Sequence, residues 1–300
     1  MFSNSSVVNK GLVIFVILFF YITFPACSKI ALSIDEMEAD ISDSELSIRK
    51  TGFNMINNLE IENRFFQCQG MAINGNIMYR LHSSGICKTY DISDIDNPVP
   101  LHIFHLGSYM WSNHCNTAQF YKEDDNTFLY IAGSNKKCFV EVIEGDSSKL
   151  IQTISFSTDS YMMDFNIICG DDGYLWAFGG MTPSGTLNLL KLRKPKYNVG
   201  DVTLTDNDVL ESFVLESDYN YYSKIWQGGK CYNGKLFFLF GSFTSGKELA
   251  IYDTHNGKLL YQIKLDGYIE DEPEDCELLD NKIILTSYGG NGYYIIDYLS

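Results

Sequence analysis

Short apolar runs alternate with polar turns along most of the chain, and the same unit recurs five times. A unit starts with polar or glycine-rich residues. It continues through an apolar strand, an Asn-Gly or Asp-Gly turn and a second strand, and it reaches a third strand near Tyr-Asp. The unit is clearest at residues 69–79 and 227–237. Short strands at regular spacing with a repeated turn are typical of β-propeller blades.

The sequence therefore predicts an all-β propeller with five blades. The units start near Gln69, Asn113, Asp164, Gln227 and Glu272. The last unit is one strand short, and a propeller avoids an exposed edge by completing its last blade with a strand from the N-terminal side. Residues 47–54 are placed to supply this strand. Six blades are the alternative, if residues 54–66 and the insertion at 193–208 contain further strands.

The N-terminal residues do not follow this pattern. Residues 11–26 form an apolar run, shorter than the roughly 20 residues of a membrane span, behind a segment with one positive charge. We expect residues 1–26 to be an export signal. The sequence Phe-Pro-Ala before Cys27 resembles the lipobox of bacterial lipoproteins, which implies a lipid anchor on Cys27. A plain secretory signal and an uncleaved anchor are the alternatives.

An acidic and weakly apolar stretch follows Cys27. We expect residues 27–45 to be a solvated tether and residues 46–300 to be the propeller domain. The tether would hold the domain at a membrane that the protein contacts through its lipid. Ser28 after the cysteine resembles the sorting pattern of enteric bacteria, which implies the outer membrane or cell surface within the bacterial envelope.

Composition and charge narrow the class of partner. The 300 residues are 45% hydrophobic and 14% aromatic, enough for one large all-β domain. The formal net charge of −16 argues against a nucleic-acid partner, because a phosphate backbone requires a basic surface.

The eight cysteines leave an odd number once Cys27 carries lipid, so they cannot all pair within the chain. Cys231 and Cys276 follow the starts of inner strands, and we predict that they are small buried thiols. Cys87 and Cys138 occupy matching third strands, and a disulfide between them is an alternative.

Polar residues at the start of each innermost strand predict a ligand site. In a propeller these positions surround one mouth of the central channel, so side chains from different blades converge there. The predicted ligand-binding residues are Gln69, His114, Asn116, Asn166, Gln227, Trp111 and Trp226. Carboxamides and carboxylates beside aromatic rings suit a sugar or a peptide. The alternative is that these groups only satisfy the backbone of neighbouring blades.

Three functions are compatible with such a mouth. The favoured one, without catalysis or cofactor, is a surface lipoprotein that binds a glycan, a peptide or a partner protein, with the insertion at 193–208 as a contact loop. The second is a glycoside hydrolase of the five-bladed arabinanase type, with Asp164, Glu272 and Glu274 as candidate catalytic carboxyls.

The third function is a calcium-dependent hydrolase similar to the lactonase propellers. Its candidate metal ligands are Glu272, Asn116 and Asn166, whose hard oxygen atoms suit Ca²⁺. Lactonase propellers have six blades, which argues against this function.

Three short sequence segments in the last third of the chain resemble those of a known group of proteins. Residues 226–229, 251–258 and 271–275 are similar to phrases of bacterial exported propeller lipoproteins, and of teichoic-acid-associated and phage-type propeller proteins. The resemblance implies a propeller at the cell surface and no particular reaction.

Overall fold

The computed structural model describes residues 47–52, 67–110, 113–161, 164–217, 225–289 and 292–297. All of them belong to one compact unit, residues 47–297. The expected export signal, Cys27, the acidic tether and Trp111 lie outside the described residues, as do residues 53–66. Within the described part of the chain, no helix is long and apolar enough to cross a membrane.

The described strands form five sheets, which are the blades of a propeller. Blade 1 contains β2 (Cys68–Asn74), β3 (Ile77–His82), β4 (Ile86–Asp91) and β5 (Val99–His105). Blade 2 contains β6 (Thr117–Glu123), β7 (Asn126–Gly133), β8 (Lys137–Glu144) and β9 (Ser147–Ser157), with β13 (Val202–Thr205) added at its edge. Blade 3 contains β10 (Asn166–Cys169), β11 (Leu175–Met181), β12 (Leu187–Leu192) and β14 (Val209–Val214). Blade 4 contains β15 (Trp226–Tyr232), β16 (Lys235–Phe240), β17 (Glu248–Asp253) and β18 (Leu259–Lys264). Blade 5 contains β19 (Pro273–Leu279), β20 (Lys282–Ser287), β21 (Gly292–Asp297) and β1 (Ser47–Gly52).

The turn chemistry of the repeat explains the innermost hairpins. Tyr232 and Lys235 pair across the turn between β15 and β16. Asn233 and Gly234, between them, have φ values of 47° and 70°. A two-residue hairpin turn of type I′ requires positive φ at both positions, and Asn-Gly adopts it at least cost. This turn connects the innermost strand of blade 4 to its second strand.

The N-terminal strand closes the ring. Strand β1 pairs with β21 in antiparallel register, with Ser47 opposite Asp297 and Gly52 opposite Gly292. The prediction of five blades, with the last completed by an N-terminal strand, is confirmed. Closure of this kind removes the edge that an incomplete fifth blade would expose.

The insertion at 193–208 is only partly a loop. Its residues 202–205 form β13, which pairs in parallel with β9, so that Val202 lies opposite Ile154 and Thr205 opposite Ser157. A segment from the sequence of blade 3 thus gives blade 2 a fifth strand. The partner strand lies in a different blade, so no local pattern in the sequence indicated this pairing.

The core lies between neighbouring blades. Aromatic and aliphatic side chains fill the space there, as where Phe178 of blade 3 meets Phe238 of blade 4 with ring centroids 5.0 Å apart. Cys231 and Cys276 are buried free thiols, as predicted. Cys87 and Cys138 are also free, so the alternative of a disulfide between them is wrong.

Candidate functional site

Three inner strands carry an extra residue where they start at the channel mouth. The register of β2 skips Gln69, that of β19 skips Glu274, and that of β15 sets Gln227 and Gly228 against a single residue. A β-bulge breaks the regular alternation of side chains and redirects the extra one. The redirected side chains of Gln69 and Glu274 meet, with Nε2 3.5 Å from Oε1.

The glycine of the repeated Gln-Gly pair is required by a close approach of strands. A Cβ atom on Gly228 would lie 2.5 Å from Oδ1 of Asp275 and 2.6 Å from the carbonyl oxygens of Asn116 and Glu274. Glycine lets one backbone approach another where any side chain would collide. The pair therefore combines a redirected glutamine with tight packing of blade on blade.

A chain of hydrogen bonds runs around the mouth through blades 2 to 5. His114 Nδ1 is bonded to Asn116 Oδ1, and Asn116 Nδ2 donates to Asn166 Oδ1 at 3.1 Å. Asn166 Nδ2 donates to the Gln227 carbonyl at 2.7 Å, and Gln227 Nε2 donates to Glu272 Oε1 at 2.6 Å. The structure thus brings together five of the residues that the sequence placed at the mouth.

Two other predicted residues lie elsewhere. Asp164 is exposed and accepts a hydrogen bond from the backbone N–H of Asn135, 3.1 Å away, in the turn between β7 and β8. Trp226 is half-buried, with its indole ring against Gly179 of β11 and packed on the core between blades 3 and 4. Both side chains therefore have structural contacts with a neighbouring blade.

The carboxyl groups at the mouth hold their protons more tightly than free glutamates. Burial raises the pKa of Glu274 well above its usual range, and the neighbouring charge of Glu272 raises it further. Burial also raises the pKa of Glu272, against the hydrogen bond from Gln227 and the attraction of His114 and Lys247. Both carboxyls therefore release their protons at a higher pH than free glutamates do.

An aromatic pair, the exposed Phe243 and the half-buried Tyr288, lies beside Glu272. The ring of Phe243, 56% exposed, meets the ring of Tyr288 edge to face with centroids 5.3 Å apart. The Tyr288 N–H donates to the Glu272 carbonyl at 2.9 Å, and Gln227 Nε2 donates to the Gly241 carbonyl at 3.0 Å. These bonds fix the loops carrying both rings beside the Glu272–Gln227 pair. We name these four side chains, Gln227, Phe243, Glu272 and Tyr288, the rim cluster.

No repeated sequence pattern indicated that either ring lies at the mouth. Phe243 stands among small polar residues in the loop between β16 and β17, and Tyr288 follows the end of β20. An isolated aromatic residue in a polar loop was the available signal. It carried no information on which blade the loop faces.

Below the mouth, a buried lysine side chain bridges inner strands of different blades. Lys230 of β15 donates to Asp275 Oδ2 at 2.9 Å, to the Met71 carbonyl at 2.9 Å and to Thr117 Oγ1 at 3.0 Å, and it also donates to the Ala118 carbonyl. The side chains of Lys230 and Asp275 are 1% and 0% exposed. Inner strands of four blades therefore meet at one ammonium group. We name Lys230, Asp275 and Thr117 the central cluster.

Each charge of the central cluster is supported by further contacts. Asp275 also accepts from the Met71 N–H at 2.8 Å and from Thr117 Oγ1 at 2.9 Å. Burial raises the pKa of Asp275 to about 6, although Lys230 lowers it. Burial alone would lower the pKa of Lys230, but the carboxyls of Asp275 and Glu277 outweigh it and the pKa is raised. At neutral pH the cluster is therefore an ion pair.

The central cluster was not predicted from the sequence either. Lys230 occupies an inner-strand position where an apolar residue is the rule, and a charged residue there was a usable signal. Asp275 belongs to an acidic run, residues 270–277, which has the composition of a solvated loop. The structure instead places residues 273–279 in strand β19.

The oxygen atoms proposed as calcium ligands already have partners. Asn116 Oδ1 is bonded to His114, and Asn166 Oδ1 accepts from Asn116. Within the described residues, no three His, Cys, Asp or Glu side chains are grouped so that they could hold a metal ion.

No model of a known protein family and no curated protein matches the chain. Among solved structures, the chain is similar to the tail fibre of Staphylococcus aureus phage P68, with 13% identity and a TM-score of 0.52 over 91% of this chain and 57% of the fibre chain. It is also similar to Myxococcus xanthus glutaminyl cyclase, with 10% identity and a TM-score of 0.49 over 84% of this chain and 94% of that chain. An exo-1,5-α-L-arabinanase from a bovine ruminal metagenomic library has 10% identity and a TM-score of 0.47 over 77% of this chain and 92% of that chain. At these identities the similarity to the tail fibre shows the propeller fold alone.

Proposed function

We propose that this propeller binds a neutral saccharide at its channel mouth. The observation that carries the proposal is the rim cluster, in which the exposed Phe243 and the half-buried Tyr288 stand beside a half-buried carboxyl–carboxamide pair. Ligand sites of this kind combine apolar surface with a few fixed polar groups.

The chemistry of the rim cluster fits sugar hydroxyl groups. Glu272 Oε1 and the carboxamide of Gln227 supply both acceptors and donors, and their mutual bond of 2.6 Å fixes their orientation. Phe243 supplies an apolar face for the carbon side of a sugar ring. A neutral ligand is favoured because the net charge of −16 repels anions from the protein as a whole.

The experiment measures binding of a panel of neutral glycans to the purified full chain by calorimetry. We expect Glu272→Gln and Phe243→Ala each to weaken the best ligand by about tenfold or more, since each removes one half of the rim cluster. Asp146→Asn, which changes an exposed carboxylate in the turn between β8 and β9, is the matched control and should bind normally.

Equal affinity in Glu272→Gln, Phe243→Ala and the unchanged protein would contradict the proposal. Failure of every neutral glycan to bind would contradict it too, and would leave a peptide or a partner protein as the ligand to test.

A glycoside hydrolase acting at the same mouth is the second candidate. Two carboxyls with raised pKa, Glu272 and Glu274, face the same region, and a raised pKa suits a general acid near neutral pH. Incubation with the bound glycan and assay of new reducing ends tests this activity. A hydrolase would lose turnover in Glu274→Gln, whereas a binding protein releases no product in either form.

We also propose that the protein is anchored by lipid on Cys27 in a bacterial envelope. The support is the apolar run at residues 11–26 and the small residue before Cys27. Metabolic labelling with a fatty acid should mark the protein, and Cys27→Ala should abolish the label and release the protein from membranes. An unlabelled protein with an intact Cys27 would contradict the anchor.

A further inference from the structure

A cavity of about 400 Å³ lies between blades 1 and 2, away from the inner strands. One wall is the segment 107–110, which joins β5 to the blade 2 hairpins. The other wall comes from the outer strands β8, β9 and β13. Strand β13, the fifth strand of blade 2, supplies two of the lining residues, Val202 and Thr203, and Asp201 immediately before the strand is a third.

The strand register arranges polar side chains in a row along this wall. Lys137 of β8 lies opposite Ser155 of β9, and Ser155 lies opposite Thr203 of β13. Residues directly opposite each other project from the same face of a sheet. The ammonium group and two hydroxyl groups of this row therefore face the cavity together.

A second row lies next to the first. Phe139 is opposite Thr153, and the Thr153 N–H donates to Asp201 Oδ1 at 2.8 Å. Because side chains alternate along a strand, these positions, two residues from the first row, lie on the same face. The cavity thus has an apolar floor at Phe139 and a fixed carboxylate at the edge formed by Asp201.

The cation in this cavity has no partner among the described residues. Lys137 is half-buried, yet its ammonium group makes no ion pair or hydrogen bond within the described part of the chain. By contrast, Lys194 is 2.5 Å from the carboxylate of Glu123, and Lys191 lies within 4 Å of two carboxylates. A partly desolvated and unpaired ammonium group in an acidic protein is a ready partner for an anion.

An aromatic side chain on the opposite wall is held in place. Tyr109 lines the cavity, and its ring stacks on the ring of His105 with centroids 4.2 Å apart and planes 9° apart. The Tyr109 N–H also donates to the Leu106 carbonyl at 3.0 Å. The wall facing the polar rows is thus fixed before any ligand binds.

We propose that this cavity binds an anionic sugar group, a sugar phosphate or a uronate. The Lys137 ammonium binds the phosphate or carboxylate, and the hydroxyls of Ser155 and Thr203 bond to its oxygen atoms or to sugar hydroxyls. Asp201 accepts from hydroxyl groups at the far end and excludes ligands that are negative along their whole length. The volume suits a ligand of one or two sugar units, at the small end of ordinary ligand pockets. The site is independent of the rim cluster and of the proposed function.

Calorimetry on the purified full chain with glucose 6-phosphate, glucuronate, glucose and inorganic phosphate tests the inference. We expect both anionic sugars to bind at least tenfold more tightly than glucose or inorganic phosphate. Lys137→Met should weaken them by about tenfold or more, and Thr203→Val by a few-fold, because a charge-assisted hydrogen bond contributes more than a neutral one. Lys122→Met is the matched control, since it removes an exposed lysine at the end of inner strand β6.

Several results would overturn the inference. They are no binding of either anionic sugar at millimolar concentration, equal affinity for glucose, equal affinity for inorganic phosphate, or unchanged binding in Lys137→Met. Thermal unfolding of each variant shows that it is folded. If Lys137→Met does not fold, Asp201→Asn decides: the asparagine oxygen can still accept from ligand hydroxyls but carries no charge, so binding of the anionic sugars should tighten. A loss or no change would overturn the inference. Neutral-glycan binding at the rim cluster should be the same in Lys137→Met, which separates the two proposals.

Discussion

The rim cluster and the central cluster both contain polar side chains from the inner strands or from the loops beside them. They differ in how far protein groups satisfy the hydrogen bonds of those side chains. In the central cluster, Lys230 and Asp275 are buried and bond to carbonyl, amide and hydroxyl groups of other blades. In the rim cluster, Glu272 is half-buried and Phe243 is exposed. Polar groups that are saturated inside the protein hold the blades together, whereas those facing solvent can exchange water for a ligand.

This contrast shows why polarity alone does not identify a site. Lys230 carries a full charge in a channel and would attract notice as a binding group. Its Nζ has acceptors on three other blades, so a ligand would have to displace them. Glu272 has one carboxamide partner at 2.6 Å and lies beside the aromatic pair of Phe243 and Tyr288. It can therefore bind a ligand without breaking the hydrogen bonds that join the blades.

The largest expected effect is that of removing the central cation. Lys230→Met leaves Asp275 buried without its counter-charge, and the Met71 and Ala118 carbonyls without their shared donor. Breaking a buried ion pair from one side lowers the free energy of unfolding by about 3–5 kcal/mol. Urea denaturation measures it, with Lys235→Met at the start of β16 as the control that should change stability by less than about 0.5 kcal/mol. A loss below about 1 kcal/mol in Lys230→Met would show that the cluster is not structural.

The next effect comes from crowding the inner strands. Gly228→Ala places a methyl group against the Asp275 side chain and the carbonyls of Asn116 in blade 2 and Glu274 in blade 5. We expect a loss of about 1–3 kcal/mol in the free energy of unfolding, because an overpacked site must shift backbone. Gly246→Ala is the control, since its added Cβ would only reach ordinary contact, at 3.5 Å from Asp266 Oδ2. Equal stability of the two variants would refute the close approach.

A pH series tests the charges of the inner strands. Burial raises the pKa of Glu277 to about 7 and that of Asp275 to about 6, above their values in an unfolded chain. The folded protein therefore binds protons more tightly than the unfolded one, so the stability from these groups is complete at low pH and falls as pH rises through 6 and 7. We expect the free energy of unfolding to drop by about 1–2 kcal/mol between pH 6 and pH 8.

Glu277→Gln is the variant that sharpens the pH series. It removes the group with the higher pKa and should flatten the upper part of the profile, near pH 7. Stability that rises between pH 6 and pH 8 would contradict the raised pKa values of both carboxyls.

The smallest expected change in stability belongs to the rim cluster. Glu272→Gln keeps the shape of the side chain, and the carboxamide can still accept from Gln227, so we expect a change within about 1 kcal/mol in urea denaturation. Its effect on saccharide affinity should be larger, about tenfold. A variant that lost stability as Lys230→Met does would place Glu272 with the structural groups instead.

The fold was predictable because its signals are local and repeated. An Asn-Gly pair such as Asn233-Gly234 favours a tight hairpin turn wherever it occurs. The last unit lacks one strand, so a strand from the N-terminal side had to complete its blade. Strand β13 was not predictable, because it pairs in parallel with β9 of another blade, and no periodicity within residues 202–205 specifies a partner.

Several residues of the candidate site could be predicted from the sequence, but the directions of their side chains could not. Gln227 and Glu272 could be placed at the mouth by their positions in the repeat. Whether a given side chain turns towards the mouth depends on bulges at Gln69, Gln227 and Glu274, and these arise from how two strands match in register. Asp164 shows the limit, since its position in the repeat is equivalent and its carboxylate bonds to Asn135 of blade 2.

The pairing of β1 with β21 also sets the order in which the protein can be completed. Ser47 is synthesised early and Asp297 late, and the two are partners in one ladder. Each of the first four blades can form from a continuous or nearly continuous stretch of chain. The fifth blade can be completed only after β21 has been synthesised, because β21 pairs with the much earlier strand β1. Contacts between distant parts of a chain form slowly, because a large loop must close first. Until β21 is synthesised, β1 has no strand partner and its edge is unpaired. A chaperone that covers such edges would therefore protect this protein most before its last blade emerges.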